Sequence, residues 1–177
     1  MRIIAGTYGG RRLQAPPGDA TRPTSDRVRE ALFSILGDRV DGARVLDLFA
    51  GSGALGLEAL SRGAAMVTFV DSAPAAIRAL RGNLGALQAD AEVVRADALR
   101  WLHGAARDAR QYDLVFLDPP YRRAGALGAP LSAALGPVLA EGALVVAEAD
   151  RRAPLELTIP PSDERRYGDT LIRFHAA

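Results

Sequence analysis

The sequence has no cysteine among its 177 residues and only two histidines, His103 and His175. Without cysteine there is no disulfide framework, no thiolate metal site and no cysteine nucleophile. Two histidines this far apart do not suggest a histidine cage, so we expect no metal cofactor. No apolar run reaches the roughly 18 residues that span a bilayer, and the first residues lack the apolar block of a signal peptide. These features predict a cytoplasmic globular protein that does not contact membranes.

Neither sign of charge dominates, since 22 basic and 21 acidic side chains give a net charge of +1. The basic residues are nevertheless concentrated near the start, where residues 1–29 hold six arginines against two acids. A basic segment on a near-neutral body can bind a phosphate backbone, although a merely solvated N-terminus would look the same. The candidate phosphate-binding residues of this segment are Arg11, Arg12, Arg22, Arg27 and Arg29.

From residue 44 onward, apolar strand-like segments alternate with helix-like segments. Such alternation predicts an α/β fold with a Rossmann-like, mostly parallel sheet covered on both faces. Strands are predicted at 45–49, 66–70, 91–95, 114–117 and 143–147, and helices up to 60 and at 74–87, 99–106 and 131–139. Two short strands at 164–167 and 170–175, joined by a Gly-Asp turn, would add an antiparallel hairpin at the edge of a seven-stranded sheet.

The part before this core differs from it. Residues 2–13 predict a small β-hairpin, and the chain after Pro23 predicts a helix that Thr24 or Ser25 caps. We therefore expect a single domain, residues 1–177, with an N-terminal basic extension at 1–37 and a catalytic core at 44–177.

A glycine-rich motif follows the first core strand. Gly51, Gly53 and Gly56 form GxGxxG between a strand and a helix, which is typical of a nucleotide-type ligand. The motif alone fits NAD or FAD equally well. Asp47, four residues before Gly51, would repel a pyrophosphate and suits a cationic ligand such as S-adenosylmethionine (SAM).

Two further acids lie where the next strands end. Asp71 closes the second strand and is placed to accept hydrogen bonds from ribose hydroxyls. Asp97 follows the third strand and precedes Ala98, where a carboxylate and a backbone N–H could meet an adenine ring. Because the carboxyl ends of parallel strands share one edge of the sheet, these acids should line one crevice.

The sequence Asp118-Pro119-Pro120-Tyr121 follows the fourth strand and indicates the chemistry. The lone pair of an exocyclic amine is conjugated, so the amine is a poor nucleophile. The Asp118 carboxylate and the Pro119 carbonyl can accept its two N–H protons and orient it toward a methyl donor. Pro120 stiffens the loop, and Tyr121 offers a ring on which a flipped base can stack. The candidate catalytic residues are these four.

With these motifs the sequence resembles the RsmD type of bacterial 16S rRNA guanine-N2 methyltransferases. The resemblance is carried by Arg2-Ile3-Ile4-Ala5-Gly6, Gly10-Arg11-Arg12-Leu13, Arg22 through Phe33, Val45 through Ala64, and Asp118-Pro119-Pro120-Tyr121. It covers residues 1–121 well and the remainder in outline. The Arg-Pro-Thr helix is its specific part, because many amino-methyltransferases share the glycine loop and the DPPY sequence.

The resemblance implies a class I SAM-dependent methyltransferase fold and methylation of N2 of guanine 966 (rRNA numbering) in the small ribosomal subunit. It implies SAM as cofactor, with S-adenosylhomocysteine as product, and 16S rRNA in the 30S subunit as partner. We further expect the protein to be a monomer. The candidate cofactor-binding residues are Asp47, Phe49, Gly51, Ser52, Gly53, Asp71, Asp97, Ala98 and Asp118. Thr24 and Arg122 join the arginines of the N-terminal segment as candidate RNA contacts.

Two alternatives remain open at this stage. DPPY serves any exocyclic amine, so an adenine-N6 methyltransferase acting on DNA or another RNA is the runner-up. The other alternative is a catalytically silent RNA-binding factor of ribosome assembly that keeps the fold.

Overall fold

The computed structural model describes residues 1–16 and 25–177, with the backbone alone at 121–123. Its strands are β1 (Arg44–Leu48), β2 (Met66–Asp71), β3 (Glu92–Arg95), β4 (Tyr112–Leu117), β5 (Leu139–Asp150), β6 (Asp163–Tyr167) and β7 (Thr170–Ala176). Its α-helices are α1 (Asp26–Leu36), α2 (Ala54–Ser61), α3 (Pro74–Leu87), α4 (Ala98–Arg107) and α5 (Tyr121–Leu135). Short 3-10 turns follow α1 and α5, at Gly37–Arg39 and Gly136–Val138.

The strands form one seven-stranded sheet in the order β3-β2-β1-β4-β5-β7-β6. The first five strands run parallel, and β7 pairs antiparallel with both β5 and β6. The predicted mostly parallel sheet with an antiparallel edge hairpin is therefore confirmed. The order reverses between β1 and β4, which is where open α/β sheets bind their ligands.

Hydrophobic residues cover both faces of this sheet. One buried cluster joins apolar residues of α1, α2 and α3 to the sheet, with Phe33 of α1 near Phe116 of β4. A second cluster packs α4 and α5 on the opposite face, where Leu102 and Leu131 are fully buried. The central strands are apolar on both sides because both of their faces are covered.

Helix α1 begins where a capping residue was predicted. The Ser25 hydroxyl accepts the Val28 N–H at 3.3 Å, and Asp26 lies in the first turn. Thr24, the alternative cap, lies outside the described residues, as does Arg22.

Two predicted elements were placed wrongly. The last helix was expected at 131–139, but α5 starts ten residues earlier, directly after Pro120, and ends at Leu135. Its glycines obscured the pattern: at Gly128 a Cβ atom would lie 2.0 Å from the Glu156 carbonyl oxygen, so a close backbone approach requires glycine. Strand β5 was expected at 143–147 and is longer at both ends. At its start, an irregularity opposite Tyr112–Leu114, where Gly142 has φ of +72°, lets Leu139 pair with β4. At its end, residues 148–150 pair with β7.

The predicted N-terminal hairpin is short. Its only β-bridge in the described part joins Arg2 to Arg12, supported by backbone hydrogen bonds such as Ile3 N–H to the Arg11 carbonyl at 3.0 Å.

Candidate active site at the carboxyl ends of the strands

The glycine loop after β1 is bound to the neighbouring strand. The N–H groups of Phe49 and Ala50 both donate to the Val70 carbonyl, at 2.9 and 3.0 Å. Gly51 and Gly53 have φ of +56° and +82°, and Phe49, which is not glycine, has φ of +87°. Such a conformation is unusual for a residue with a side chain and is typical of strained functional loops. Glycine adopts positive φ readily at 51 and 53, whereas at Phe49 the loop holds a conformation that its own residue does not favour.

Asp47 secures the helix that follows this loop. Its side chain is buried, and Oδ2 accepts the Gly56 N–H at 2.9 Å. Burial raises the pKa of Asp47 to about 7, the Gly56 bond opposes that rise, and the Asp71 charge adds to it. At Gly56 a Cβ atom would lie 2.3 Å from the Phe69 ring, so glycine is needed for the close packing of α2 on β2. The sequence did not predict this link between Asp47 and α2.

Asp71, at the end of β2, bonds to two loops. Its Oδ2 accepts the Gly51 N–H at 2.8 Å, and its Oδ1 accepts the Ala73 N–H at 2.8 Å. Each carboxylate oxygen has two lone pairs, so both retain capacity to accept a ligand hydroxyl. Asp71 is partly exposed and is the last residue of β2, the strand end at which the sequence predicted it.

Asp97 lies after β3 and caps α4. Its Oδ1 accepts the N–H groups of Leu99 and Arg100, at 3.1 and 3.2 Å, and Ala98 is the first helical residue. This is the usual arrangement of an N-cap aspartate. Both bonds use one oxygen, Oδ1, and the residue is exposed.

Asp118 directly follows β4 and is partly exposed. Burial, the charge of Glu148 and the charge of Asp47 raise its pKa well above the ordinary value. Pro119 is buried and Pro120 is the N-cap residue of α5, so the loop is held between a strand end and a helix start. Tyr121 and Arg122 begin that helix, and their side chains lie outside the described part of the structure.

Glu148 belongs to the same group of acids, and sequence reasoning missed it. It is buried in β5, one residue after Ala147, which pairs with Leu117 of β4, so Glu148 and Asp118 occupy adjacent strand positions. The available signal was its place: like Asp47 and Asp71, it is an acid near the end of an apolar strand.

The N-terminal segment, residues 1–14, is docked on α2 through buried polar groups. Glu58 is fully buried and accepts the N–H groups of Ile4 and Ala5, at 2.7 and 3.1 Å. Gly6 has φ of +82°, and a Cβ atom there would lie 1.7 Å from the Ser61 carbonyl oxygen. The segment thus lies directly against the helix that follows the glycine loop.

Asn83 joins this segment to the glycine loop itself. The buried side chain accepts the Gln14 N–H at 2.8 Å and donates to the carbonyls of Gln14 and Ser52, at 3.0 and 2.9 Å. Sequence reasoning missed this role, although a polar residue on the apolar face of α3 beside Leu80 and Leu84 was the signal. Asn83 therefore couples residues 1–14 to a predicted cofactor loop.

The predicted RNA contacts are divided by their exposure. Arg11, Arg12 and Arg27 are exposed. Arg29 is fully buried, where its guanidinium bonds to Asp26 at 2.9 Å and to the Arg2 carbonyl. Since a phosphate cannot reach a fully buried guanidinium, Arg29 supports α1 rather than contacting RNA, and we correct that prediction.

Two features are absent from residues 1–16 and 25–177. Among them, no group of three or more histidine, cysteine, aspartate or glutamate side chains is arranged to hold a metal ion. None of the helices in the same part of the chain is long and apolar enough to cross a membrane.

With this geometry established, the chain can be compared with known proteins. A family model described as "Conserved hypothetical protein 95" matches residues 1–176. The chain belongs to this family.

Among curated relatives of this family member is the Bacillus subtilis (strain 168) protein named "Putative rRNA methyltransferase YlbH". It is 44% identical over 161 residues, which are 90% of this chain and 88% of the relative. Ribosomal RNA small subunit methyltransferase D of Escherichia coli (strain K12) is 47% identical over 124 residues, 70% of this chain and 61% of the relative.

A solved Escherichia coli structure, "Putative methyltransferase yhhF", is 38% identical with a TM-score of 0.84. The match covers 99% of this chain and 97% of that one. The predicted family resemblance and the predicted methyltransferase fold are both confirmed.

Proposed function

We propose that the protein transfers the methyl group of SAM to N2 of a guanine in the 16S rRNA of the small ribosomal subunit, of the guanine 966 type. One observation carries this proposal: Asp118 after β4 and the glycine loop after β1 flank the point where the strand order reverses. A methyl acceptor and a nucleoside-bearing donor would meet there. The names of the two relatives, both rRNA methyltransferases, support the same conclusion.

The residues present fit SAM. Around Gly51 there is open space where a side chain would stand, so a ligand can approach the loop backbone closely. Asp71 would accept ribose hydroxyls, and the free oxygen of Asp97 together with the backbone at Ala98 would face the adenine. Burial and the Asp71 charge raise the pKa of Asp47, and burial with the charges of Glu148 and Asp47 raises the pKa of Asp118. A group of acids of this kind favours a bound cation over a pyrophosphate.

SAM supplies a methyl group on a sulfonium, which is already an activated leaving group. The protein then has to orient the nucleophile. Asp118, when ionised, would accept a hydrogen bond from one N–H of the guanine amine, and the Pro119 carbonyl would accept one from the other. As the nitrogen bonds to the methyl carbon and the carbon–sulfur bond breaks, S-adenosylhomocysteine would leave and the amine would give up one of these protons to Asp118. Fixing both protons directs the nitrogen lone pair at the methyl carbon, so positioning and electrostatics do the catalytic work. Stacking of the guanine on Tyr121 would complete the orientation.

The exposed arginines Arg11, Arg12 and Arg27 would hold rRNA phosphates near the site. Arg22, Thr24 and Arg122 remain part of the proposed RNA surface from the sequence resemblance. The partner would be 16S rRNA within the 30S subunit, bound by a monomer in the cytoplasm. A single domain, with residues 1–37 as extension and 44–177 as core, fits this proposal because Asn83 and Glu58 attach the first residues to the core.

The test is methyl transfer from labelled SAM to 30S subunits lacking the modification, with naked DNA as a parallel substrate. Nucleoside mass spectrometry should find N2-methylguanosine in the 16S rRNA and map it to one position. N6-methyladenine in the DNA would support the runner-up enzyme instead. SAM binding by calorimetry without transfer to either substrate would indicate a silent assembly factor, and NAD binding as tight as SAM would contradict the cofactor assignment.

A further inference from the structure

A groove of about 390 Å³ lies beside the C-terminal hairpin, away from the crevice between β1 and β4. Its polar lining consists of Arg151, Arg152, Arg166 and Arg173 with one acid, Glu164. Pro154 and Leu171 supply the apolar part of its wall. Four guanidinium groups around one carboxylate make this a strongly cationic concavity.

The groove opens at the same edge of the sheet as the proposed active site. Strand β5 runs parallel to β4 with Ala147 beside Leu117, and it ends at Asp150, which pairs with Thr170 next to the hairpin turn. Strands lie about 4.8 Å apart and residues about 3.3 Å apart along a strand. The groove therefore lies roughly 10–15 Å from Asp118, within reach of the nucleotides that flank a base bound there.

One face of the hairpin carries the groove. Arg173 and Leu171 pair with Ala147 and Ala149, which pack in the same cluster as the residues of α5. Cross-strand partners point to the same face, so the groove lies on the α5 side of the sheet. Arg165 pairs with Ile172, which packs in the opposite cluster, and so it points to the other face.

The arginines of the groove share few counter-charges. Arg151 and Arg152 both approach the same oxygen of Asp169, at 3.4 and 3.5 Å, with side chains 53% and 70% exposed. Arg166 pairs with Glu164 at 2.8 Å and is 74% exposed. Arg173, only 18% exposed, is paired with two acids, Glu164 at 2.8 Å and Glu156 at 3.0 Å.

Exposed ion pairs of this kind contribute little to folding, so stability does not explain three outer arginines crowded at one edge. Each guanidinium has five N–H donors in a planar fork that matches phosphate oxygens. Arg151, Arg152 and Arg166 use one or two donors on carboxylates and are more than half exposed, whereas Arg173 bonds to Glu156 and Glu164.

We propose that this groove binds phosphodiester groups of the substrate RNA beside the methylated nucleotide, as a second RNA contact separate from the N-terminal segment. The proposal rests on the proposed function, because it takes its ligand to be the RNA that reaches Asp118. It gives the C-terminal hairpin a role in holding RNA rather than in catalysis.

The test compares the triple variant Arg151→Gln/Arg152→Gln/Arg166→Gln with Arg165→Gln, a matched control on the same hairpin but on the opposite face. Binding of an rRNA fragment carrying the target is measured over a range of salt concentrations. The triple variant should bind the RNA about 10- to 100-fold more weakly. Its affinity should also depend less on salt, with the magnitude of the slope of log affinity against log salt smaller by about 2 to 3. Arg165→Gln should leave both values unchanged.

Kinetics and cofactor binding separate this proposal from the proposed function. In single-turnover assays the triple variant should need more RNA for half-maximal rate but reach the wild-type rate at saturation, with unchanged SAM affinity. Failure of the wild type to methylate any RNA would overturn the proposed function. If the wild type methylates RNA but the triple variant binds RNA with unaltered affinity and salt slope, the groove proposal alone is overturned.

The phosphate source is tested with inorganic phosphate and a mononucleotide as competitors. Either competitor should displace the RNA only at concentrations far above those that would saturate a site built for a mononucleotide. Displacement at micromolar inorganic phosphate would show a small-anion site and overturn the proposal. If the triple variant does not fold, Arg152→Gln alone, which loses a single 3.5 Å pair, should still lower the salt slope by about 1.

Discussion

Four aspartates end neighbouring strands at one edge of this sheet, yet the inner pair and the outer pair have different surroundings. Asp47, in β1, and Asp118, directly after β4, have pKa values raised by burial and by other carboxylates. Asp71 and Asp97, after β2 and β3, instead accept pairs of backbone N–H groups from the loops beside them.

The difference shows how one residue type at equivalent positions performs two kinds of work. The ionised form of an acid held among other acids has a high free energy, and a cation or an N–H donor that binds to it lowers that free energy. An acid whose oxygens bind backbone amides is already stabilised and fixes loop shape. We therefore expect the inner pair to act on the reacting groups and the outer pair to shape the site around the nucleoside.

The largest effect is expected from substitution of Asp118, the member of the inner pair proposed to contact the methyl acceptor. Asp118→Ala should still fold and bind SAM, since β4 ends before this residue. Methyl transfer should fall by roughly two to three orders of magnitude, the usual loss on removing one preorganised electrostatic partner. Single-turnover assays on 30S particles with saturating SAM measure this. Asp118→Asn, which keeps an acceptor oxygen, should lose less, and a wild-type rate in Asp118→Ala would show that the carboxylate is structural.

The second prediction concerns pH and the buried member of the inner pair. Because the folded-state pKa of Asp47 is about 7, above its ordinary value near 4, the folded protein binds the extra proton. The contribution of Asp47 to the free energy of unfolding is therefore complete below about pH 4 and is lost as the pH rises to 7. The free energy of unfolding should decline over this window, by at most about 4 kcal/mol from this group.

Asp47→Asn tests that assignment, because its amide oxygen can still accept the Gly56 N–H. Denaturant unfolding at several pH values should show a shallower decline between pH 4 and 7 than in the wild type. Some decline should remain, since the raised pKa of Asp118 acts with the same sign. An identical pH profile in both proteins would mean that Asp47 is ionised throughout.

A feature of this arrangement could be predicted from the sequence where consecutive residues determine it, and not where tertiary contacts do. The strand that holds Asp47 and the strand ends at Asp71 and Asp118 were predicted, because apolar strands and glycine or proline turns can be recognised from consecutive residues. The start of α5 was missed because Pro120 and the glycines that follow look like a loop, and only packing against Glu156 explains Gly128.

The attachment of residues 1–14 could not be predicted for the same reason. Glu58 and Asn83 bond to backbone groups 53 to 69 positions away in the sequence. The local sequence pattern does not identify these partners. Arg29 was likewise predicted to be a surface cation, and only the packing of α1 against the sheet shows that it is buried. A charged or polar residue on an apolar helix face was the one available sign of such contacts.

The third prediction concerns the outer pair at the ribose side. Asp71→Ala removes the acceptor for the Gly51 and Ala73 amides and the proposed acceptor for the ribose. SAM binding should weaken by about 1–3 kcal/mol, the cost of leaving polar groups unpaired at a buried site. Calorimetry with SAM and S-adenosylhomocysteine measures it, and Asp71→Asn should retain part of the affinity. Unchanged affinity in Asp71→Ala would exclude Asp71 from the cofactor site.

The smallest effect is expected at Asp97, where the contrast between the pairs is sharpest. Its Oδ1 caps α4 at an exposed position, so Asp97→Ala should lower the free energy of unfolding by about 1 kcal/mol, the usual value of an N-cap. Asp97→Asn should restore that stability, because asparagine caps equally well. SAM affinity should fall less than in Asp71→Ala, since only one oxygen faces the ligand and water competes for it. If thermal unfolding showed no loss in Asp97→Ala while calorimetry showed a larger loss of SAM affinity than in Asp71→Ala, Asp97 would belong with the ligand-facing inner acids, and the division between the two pairs would fail.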